Sequence, residues 1–353
     1  MKIGIITFHH SKSYGAILQS YALCKILNNL GHEAVIINYK PWKILFPRIG
    51  LHLRTIIRPK LLLINLFFLR PVLRCFIRKH IPLSRKSYWT HFSLKRKPPI
   101  YDYYITGSDQ VWNTTLFSYF DTNYILDFAR HENSKLMSYG ASFGQDQPSN
   151  MKPILASLLK RINYISVRER HGFNLVKALT DKYSKVVCDP VFLLNSYNDV
   201  IVKPSANYDY IAVFCLDKTS NFIFLVEQLQ KQTNLPVINL GTLDLGFEVN
   251  KKYINPGEWL GYLKNAKFVI TNSFHGVSFS IIFKKNFFVY PIKDRFVRIS
   301  ELLNYLGLES RVTERNDVDN HNLDLSDINY SKIDFLIKDK VNYSMDFIIK
   351  SIT

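Results

Sequence analysis

The chain has 353 residues, 46 Lys and Arg against 28 Asp and Glu for a formal net charge of +18, and 47% hydrophobic residues. That length exceeds one ordinary doubly wound domain and suits two, and the apolar content excludes a disordered chain. Cys24, Cys75, Cys188 and Cys215 are scattered, which excludes a disulfide framework or a paired-cysteine zinc or redox site and points to the cytoplasm.

Taken in chain order, Lys2–Thr7 is predicted as a first strand rather than a secretory signal, because no long apolar region or small-residue cleavage site follows. A helix is expected over residues 16–30, with Leu23, Ile26, Leu27 and Leu30 on one face and Gly31 as its stop, and Ala34–Asn38 makes the second strand. The loop of this β-α-β unit lacks G-x-G-x-x-G and has only Gly15 at the helix entrance, so no dinucleotide is expected; there is no P-loop either. Ser13, Tyr14 and Gly15 at the helix start suit an anionic group, such as the diphosphate of a lipid-linked acceptor. His9 and His10 are adjacent and point to opposite sides of an extended segment, so at most one belongs to a site.

Residues 42–98 are read as a basic, apolar, helical insertion. No acidic residue stands between Glu33 and Asp102, whereas Lys40 to Lys97 contributes fifteen Lys and Arg. The largely apolar run from Leu61 to Leu69 is too short to span a bilayer and is followed by Arg70, Arg74 and Arg78 at helical spacing. Peripheral membrane contact through residues 43–80 is one reading and an ordinary insertion with a solvated basic face the other. Nucleic acid is not expected as a partner, since no binding module accompanies the charge.

Strands follow at Tyr101–Thr106, Lys135–Ser138, Tyr164–Val167 and Lys185–Cys188, with a helix near 151–160. Residues 195–207 read as a linker. A second series then runs through strand Tyr210–Leu216, helix 219–233, strand Pro236–Leu240, helix 256–265, strand Phe268–Ile270, strand Asn286–Tyr290 and a helix near 298–306. Ile333 to Ile349 carries a final helical pattern expected to pack back on the first domain. The division is thus 1–194, 208–313 and a tail 314–353: an α/β chain with two Rossmann-like domains facing a cleft.

The densest polar turn is Thr271-Asn-Ser-Phe-His-Gly276, between a buried strand and a short helix. It sets Asn272, Ser273 and His275 at the carboxyl end of a strand beside a helix N-terminus, where open α/β sheets bind ligands and where N–H groups favour anions. A histidine there can move a proton near neutral pH; the alternative is that it caps the helix or fills a polar gap. Ser108, Asp109, Gln110, Trp112 and Asn113 sit at another strand end and suit a sugar acceptor with Asp109 as base. The alternative is an Asx turn with Trp112 buried. Arg168 follows the strand ending at Val167, and its fork suits phosphate or carboxylate. Alternatively Arg168 and Glu169 are a charged pair capping a strand end, while Asp189-Pro190 reads as structural.

This chain resembles the polysaccharide pyruvyl transferase family. The resemblance rests on Thr271–Gly276 together with Ile5-Ile-Thr-Phe-His9, Ser13-Tyr-Gly-Ala-Ile-Leu-Gln-Ser-Tyr-Ala-Leu23, Ile105-Thr-Gly-Ser-Asp-Gln-Val-Trp-Asn113, Ser138-Tyr-Gly-Ala-Ser-Phe-Gly144, Ile165-Ser-Val-Arg-Glu-Arg170, Cys188-Asp-Pro-Val-Phe-Leu-Leu194 and Pro256–Ala266, all in the family's order. It implies a glycosyltransferase-B-like fold. It also implies transfer of pyruvate from phosphoenolpyruvate to a sugar hydroxyl pair in surface polysaccharide biosynthesis, without a metal or cofactor. By the same resemblance His275 is the general acid, and Arg168, Asn272, Ser273, Gly276 and Arg298 bind the donor. Some relatives carry arginine where this chain has Ser273; either Arg168 with Arg298 or Lys12 compensates, or this branch uses a different donor. The rival readings are a glycosyltransferase using a nucleotide sugar and a non-catalytic polysaccharide or membrane-surface binding protein.

Overall fold

The computed structural model describes residues 1–41, 69–117, 119–292, 296–313 and 323–352. The chain divides into two compact units, the second comprising Ser196–Lys338 with a short piece ending at Phe76, and the first comprising most of the rest.

In the first unit, β1 (Lys2–Ile6) is followed by α1 (Tyr14–Asn29) and β2 (Glu33–Tyr39). Helix α1 starts at Ser13, whose side chain accepts from the Ala16 N–H, and stops before Gly31 at φ +85°, a conformation glycine adopts without strain. Then come α2 (Arg70–His80), β3 (Leu83–Tyr88), α3 (His91–Arg96), β4 (Tyr103–Thr106), β5 (Lys135–Ser138), α4 (Lys152–Lys160), β6 (Ser166–Val167), α5 (Arg170–Thr180) and β7 (Lys185–Val186). The sheet is parallel with order β3-β2-β1-β4-β5. β6 and β7 continue it beyond β5 through the isolated bridges Met137–Tyr164 and Ala141–Val167. Its strands are short apolar runs because helices cover both faces of such a sheet.

Part of the stretch read as a helical insertion is therefore sheet: β3 lies within it, and among the described residues α2 and the short α3 are its basic helices. The apolar run, up to residue 68, lies outside the described residues. The strand expected from Tyr101 begins at Tyr103, because the Tyr101 ring covers Gly4 of β1, where a Cβ would collide with it.

The second unit runs β8 (Ile211–Phe214), α6 (Ser220–Thr233), β9 (Val237–Asn239), β10 (Val249–Asn250), α7 (Pro256–Asn265), β11 (Phe268–Thr271), α8 (Phe274–Ile282), β12 (Asn286–Val289) and α9 (Val297–Leu306). Its sheet is also parallel, ordered β10-β9-β8-β11-β12. Helix α6 buries Phe222, Leu225, Val226 and Leu229, one face at 3.6 periodicity, against Ile211, Val213 and Ile270. The stretch expected as a linker is packed rather than free: Gly257 and Gly261, one turn apart on α7, let the carbonyls of Val200 and Val202 approach the helix, and the Val202 N–H donates to the Gly257 carbonyl.

Helix α10 (Tyr330–Ile352) returns as expected. From Asp339 onward it belongs to the first unit, where Ser344 Oγ accepts from the Cys188 N–H at 3.0 Å and Lys340 Nζ donates to the Val186 carbonyl at 2.8 Å.

Candidate active site

In the second sheet, strand order reverses between β8 and β11, which makes the carboxyl ends of those two strands the ligand-binding position of an open α/β sheet. Three side chains fix the backbone there. Thr271 Oγ1 donates to the Phe214 carbonyl at 2.8 Å and accepts from the Ser273 N–H at 3.1 Å. Asn272 accepts from the Leu216 N–H at 2.7 Å and donates to the Asp217 carbonyl at 2.9 Å, so its amide stitches the two loops together. Ser273 is the N-cap of α8 and accepts from the Gly276 N–H at 3.4 Å. A Cβ at Gly276 would strike Thr271, so this glycine sets the close approach of helix to strand.

Fixed in this way, His275 is the second residue of α8, 7% exposed, with its ring edge-on to Phe274 at 5.3 Å between centroids. Arg298, in the first turn of α9, holds its guanidinium 5.7 Å from the Phe274 ring centroid. The structure thus gathers His275, Ser273, Asn272, Gly276 and Arg298 at one helix N-terminus. Asn272 and Gly276 shape the turn there, since the amide is committed to backbone and the glycine to packing.

In the first unit, loops from four neighbouring strands reach one edge: Ser108 and Asp109 after β4, Ser142 after β5, Arg168 and Glu169 after β6, and Asp189 after β7. Arg168 is buried, its side chain 3% exposed, and Nη1 donates to Asp189 Oδ2 at 2.6 Å. Its Nε lies 3.8 Å from Glu169 Oε2 and its Nη2 3.9 Å from Asp109 Oδ1. Ser142 Oγ donates to Glu169 Oε1 at 2.6 Å, and Ser108 Oγ reaches Asp189 Oδ2 at 3.3 Å. Burial opposes the charge on Arg168, but Asp189, Glu169 and Asp109 outweigh it and push its pKa up.

One guanidinium therefore faces three carboxylates. A phosphate brought to Arg168 would meet one attraction and three repulsions, so the charged-pair alternative describes this arginine better than capture of an anion. Reading Asp189 as purely structural missed its part in the cluster; an aspartate directly after a strand, at the edge that carries Asp109, was the available signal. Asp109 itself is half-buried at φ +75° and accepts from the Gln110 N–H at 2.8 Å, the turn geometry weighed above.

Trp112 corrects the expectation of an acceptor contact. It is fully buried in the first core with its ring 5.2 Å from Phe143, and an indole without exposed surface cannot stack on a sugar. Ser108 is also fully buried, while Gln110 and Asn113 bond to each other at 2.9 Å beneath Gly144. At the start of α1, Ser13 is exposed and Tyr14 and Gly15 are buried. A buried bridge links α1 to this edge: Gln19 Nε2 donates to Thr7 Oγ1 at 2.8 Å and its Oε1 accepts from the Ser108 N–H at 3.2 Å.

His9 is fully buried, and its contact with the Thr7 carbonyl, 3.3 Å from Nδ1, requires the Nδ1–H tautomer. Burial, aided by Lys40 and opposed by the Thr7 carbonyl and Asn38, pushes its pKa down to about 4 from 6.5. Because the unfolded chain binds this proton more readily, His9 costs stability as pH falls from about 6.5 to about 4. At about 1.4 kcal/mol per pH unit the loss reaches about 3 kcal/mol. His9→Gln, which cannot titrate, is expected to flatten the pH dependence of the urea midpoint over that window; an unchanged slope would contradict the assignment.

With this geometry in view, comparison with known proteins is informative. The sequence matches the family described as polysaccharide pyruvyl transferase over residues 14–294. The chain belongs to the polysaccharide pyruvyl transferase family. That membership makes it a transferase. The search of curated proteins finds no match. Among solved structures the chain is similar to a protein described as a UDP-N-acetylglucosamine 2-epimerase from Listeria monocytogenes, at 11% identity and TM-score 0.57 over 96% of this chain and 90% of that one. It is also similar to the UDP-N-acetylglucosamine 2-epimerase from Rickettsia bellii, at 9% identity and TM-score 0.52 over 99% and 96%. The UDP-GlcNAc 2-epimerase from Neisseria meningitidis bound to UDP-GlcNAc matches at 10% identity and TM-score 0.51 over 100% and 99%. At such identities the likeness is one of fold, the glycosyltransferase-B type expected from the sequence. Among the described residues no helix is long and apolar enough to cross a membrane.

Proposed function

We propose that this family member transfers the pyruvyl group of phosphoenolpyruvate to two hydroxyls of a sugar, on a lipid-linked or polymeric acceptor of surface polysaccharide synthesis at the cytoplasmic face of the membrane. The observation that carries this reading is His275 in the first turn of α8, at the strand-order reversal of the second sheet, in a chain matched to the family across that turn. Phosphoenolpyruvate combines with a diol to give a cyclic ketal and hydrogen phosphate. One hydroxyl proton ends in the new methyl group and the other on phosphate. In this reading His275 protonates the enol methylene, which leaves the central carbon cation-like. Arg298 and the N-terminal N–H groups of α8 hold the donor's anionic groups, supplying the cation that Ser273 does not.

In the first unit the candidate base is Asp109, half-buried after β4. Arg168, locked by Asp189, positions Asp109 rather than binding donor. The sugar is held by the exposed start of α1 at Ser13 and by the rim of the Asp109 loop. Of the segment expected to touch the membrane, residues 43–68 lie outside the described residues, and α2 presents exposed Arg74, Arg78 and Lys79.

The test is thermal stabilisation by phosphoenolpyruvate against a panel of nucleotide sugars. A ligand at about a hundred times its dissociation constant adds about 2.7 kcal/mol, a shift of several degrees. Phosphoenolpyruvate is expected to stabilise the protein, and Arg298→Ala to cut the effect to about 0.4–1.4 kcal/mol. Stabilisation by a nucleotide sugar alone would replace pyruvyl transfer by glycosyl transfer. Stabilisation by neither, with no turnover, would leave the non-catalytic reading.

A further inference from the structure

Strand β3 and helix α3 carry a surface that neither cluster uses. Among the described residues β3 is the edge strand of the first sheet and pairs only with β2. From Arg85 to Lys97 this edge exposes four cations, Arg85, Lys86, Arg96 and Lys97, and no acidic residue occurs in the sequence between Glu33 and Asp102. Lys95 behaves differently: it turns inward and pairs with Asp127. Among the exposed cations stand two large aromatics, Trp89 at 49% and Phe92 at 77% exposure. Phe92 and Arg96 are four residues apart on α3 and share a face.

We propose that this rim docks the protein on an anionic bilayer, with the Trp89 and Phe92 rings in the headgroup region and the four cations against lipid phosphates. Two features select a bilayer over a soluble polyanion. Phe92, the more exposed ring, offers apolar surface that a dissolved acidic polymer would leave wet. The pairing of exposed aromatic rings with basic charge matches a membrane interface, where the rings enter the headgroup region and the cations meet lipid phosphate. Docking here is independent of the transfer reaction and is measured without any substrate, so either reading can fail without the other.

The experiment is co-sedimentation of the full chain with vesicles of phosphatidylcholine, with and without phosphatidylglycerol, alongside tryptophan emission. Of the four tryptophans, Trp112 and Trp259 are fully buried and Trp42 lies outside the described residues, so emission is read in a Trp42→Phe background, where a blue shift on vesicle binding that vanishes in Trp89→Phe reports insertion at Trp89. Binding only to the anionic vesicles is expected. Arg96→Gln with Lys97→Gln should weaken it about 30-fold, at about fivefold per cation near an anionic surface. Trp89→Ala with Phe92→Ala should weaken it about tenfold. All four positions are exposed, and an unchanged melting temperature establishes that the variants fold. No binding to anionic vesicles, or equal binding by both double variants, would overturn the proposal. So would tighter binding to a soluble acidic polysaccharide that is indifferent to the aromatic pair.

Discussion

Arg168→Ala is expected to remove about 3–5 kcal/mol of stability, a large share of a total that for most proteins is about 5–15 kcal/mol. The alanine leaves Asp189, Glu169 and Asp109 around a buried gap that held a cation they share, at 2.6, 3.8 and 3.9 Å. Losing one partner of a buried pair costs more than the pair contributes, because the remaining charges are stranded away from water. Asp189→Asn should cost less, about 1–3 kcal/mol, since Arg168 keeps two carboxylates and the amide can still accept from the Val191 N–H, now 3.1 Å from Oδ1. Lysine at 168 should fall between, because a point charge cannot reach three acceptors that a planar fork touches on three sides. Urea unfolding of the three variants measures this order. An Arg168→Ala protein as stable as the parent would mean that the cluster relaxes or takes up water. The order also bears on assays: activity lost in Arg168→Ala reports the positioning of Asp109 only if the protein remains folded.

The regular parts of the fold were legible because their signals are local. The α6 pattern at 222, 225, 226 and 229 and the four-residue apolar strands specify buried faces without reference to anything distant. β3 was not legible, because an edge strand is held by backbone bonds on one side and presents charged residues to water. Leu-Ser-Arg-Lys-Ser-Tyr thus shows no alternation of apolar and polar residues. For the candidate site, sequence located the turns but not the direction of their side chains. Trp112 looks the same in sequence whether it faces a sugar or packs on Phe143. Arg168 reads as an anion-binding fork until Asp189, twenty-one residues on, is found against it. Partnerships of this kind depend on which strands are neighbours, and the order β4-β5-β6-β7 is a property of the folded sheet.

The second unit divides its chemistry between two side chains that different measurements separate. His275→Asn is expected to lower kcat about 10²- to 10⁴-fold while moving the KM for phosphoenolpyruvate little, because a general acid acts on the transition state. Arg298→Ala is expected to do the reverse, weakening donor binding about tenfold to a hundredfold through the loss of a charge-assisted contact. The substitution at 275 leaves the turn intact, since Thr271, Asn272 and Ser273 are tied to the Phe214, Leu216, Asp217 and Gly276 backbone and not to the imidazole. Phosphate release and ketal formation, followed together, make the check. If His275→Asn turned over at the parent's rate, the proton would come from another group and α8 would serve only to bind the donor. If Arg298→Ala lowered kcat as much as His275→Asn and left KM unchanged, the guanidinium would be stabilising departing phosphate in the transition state, and the donor's ground-state charge would be held by the helix N-terminus alone.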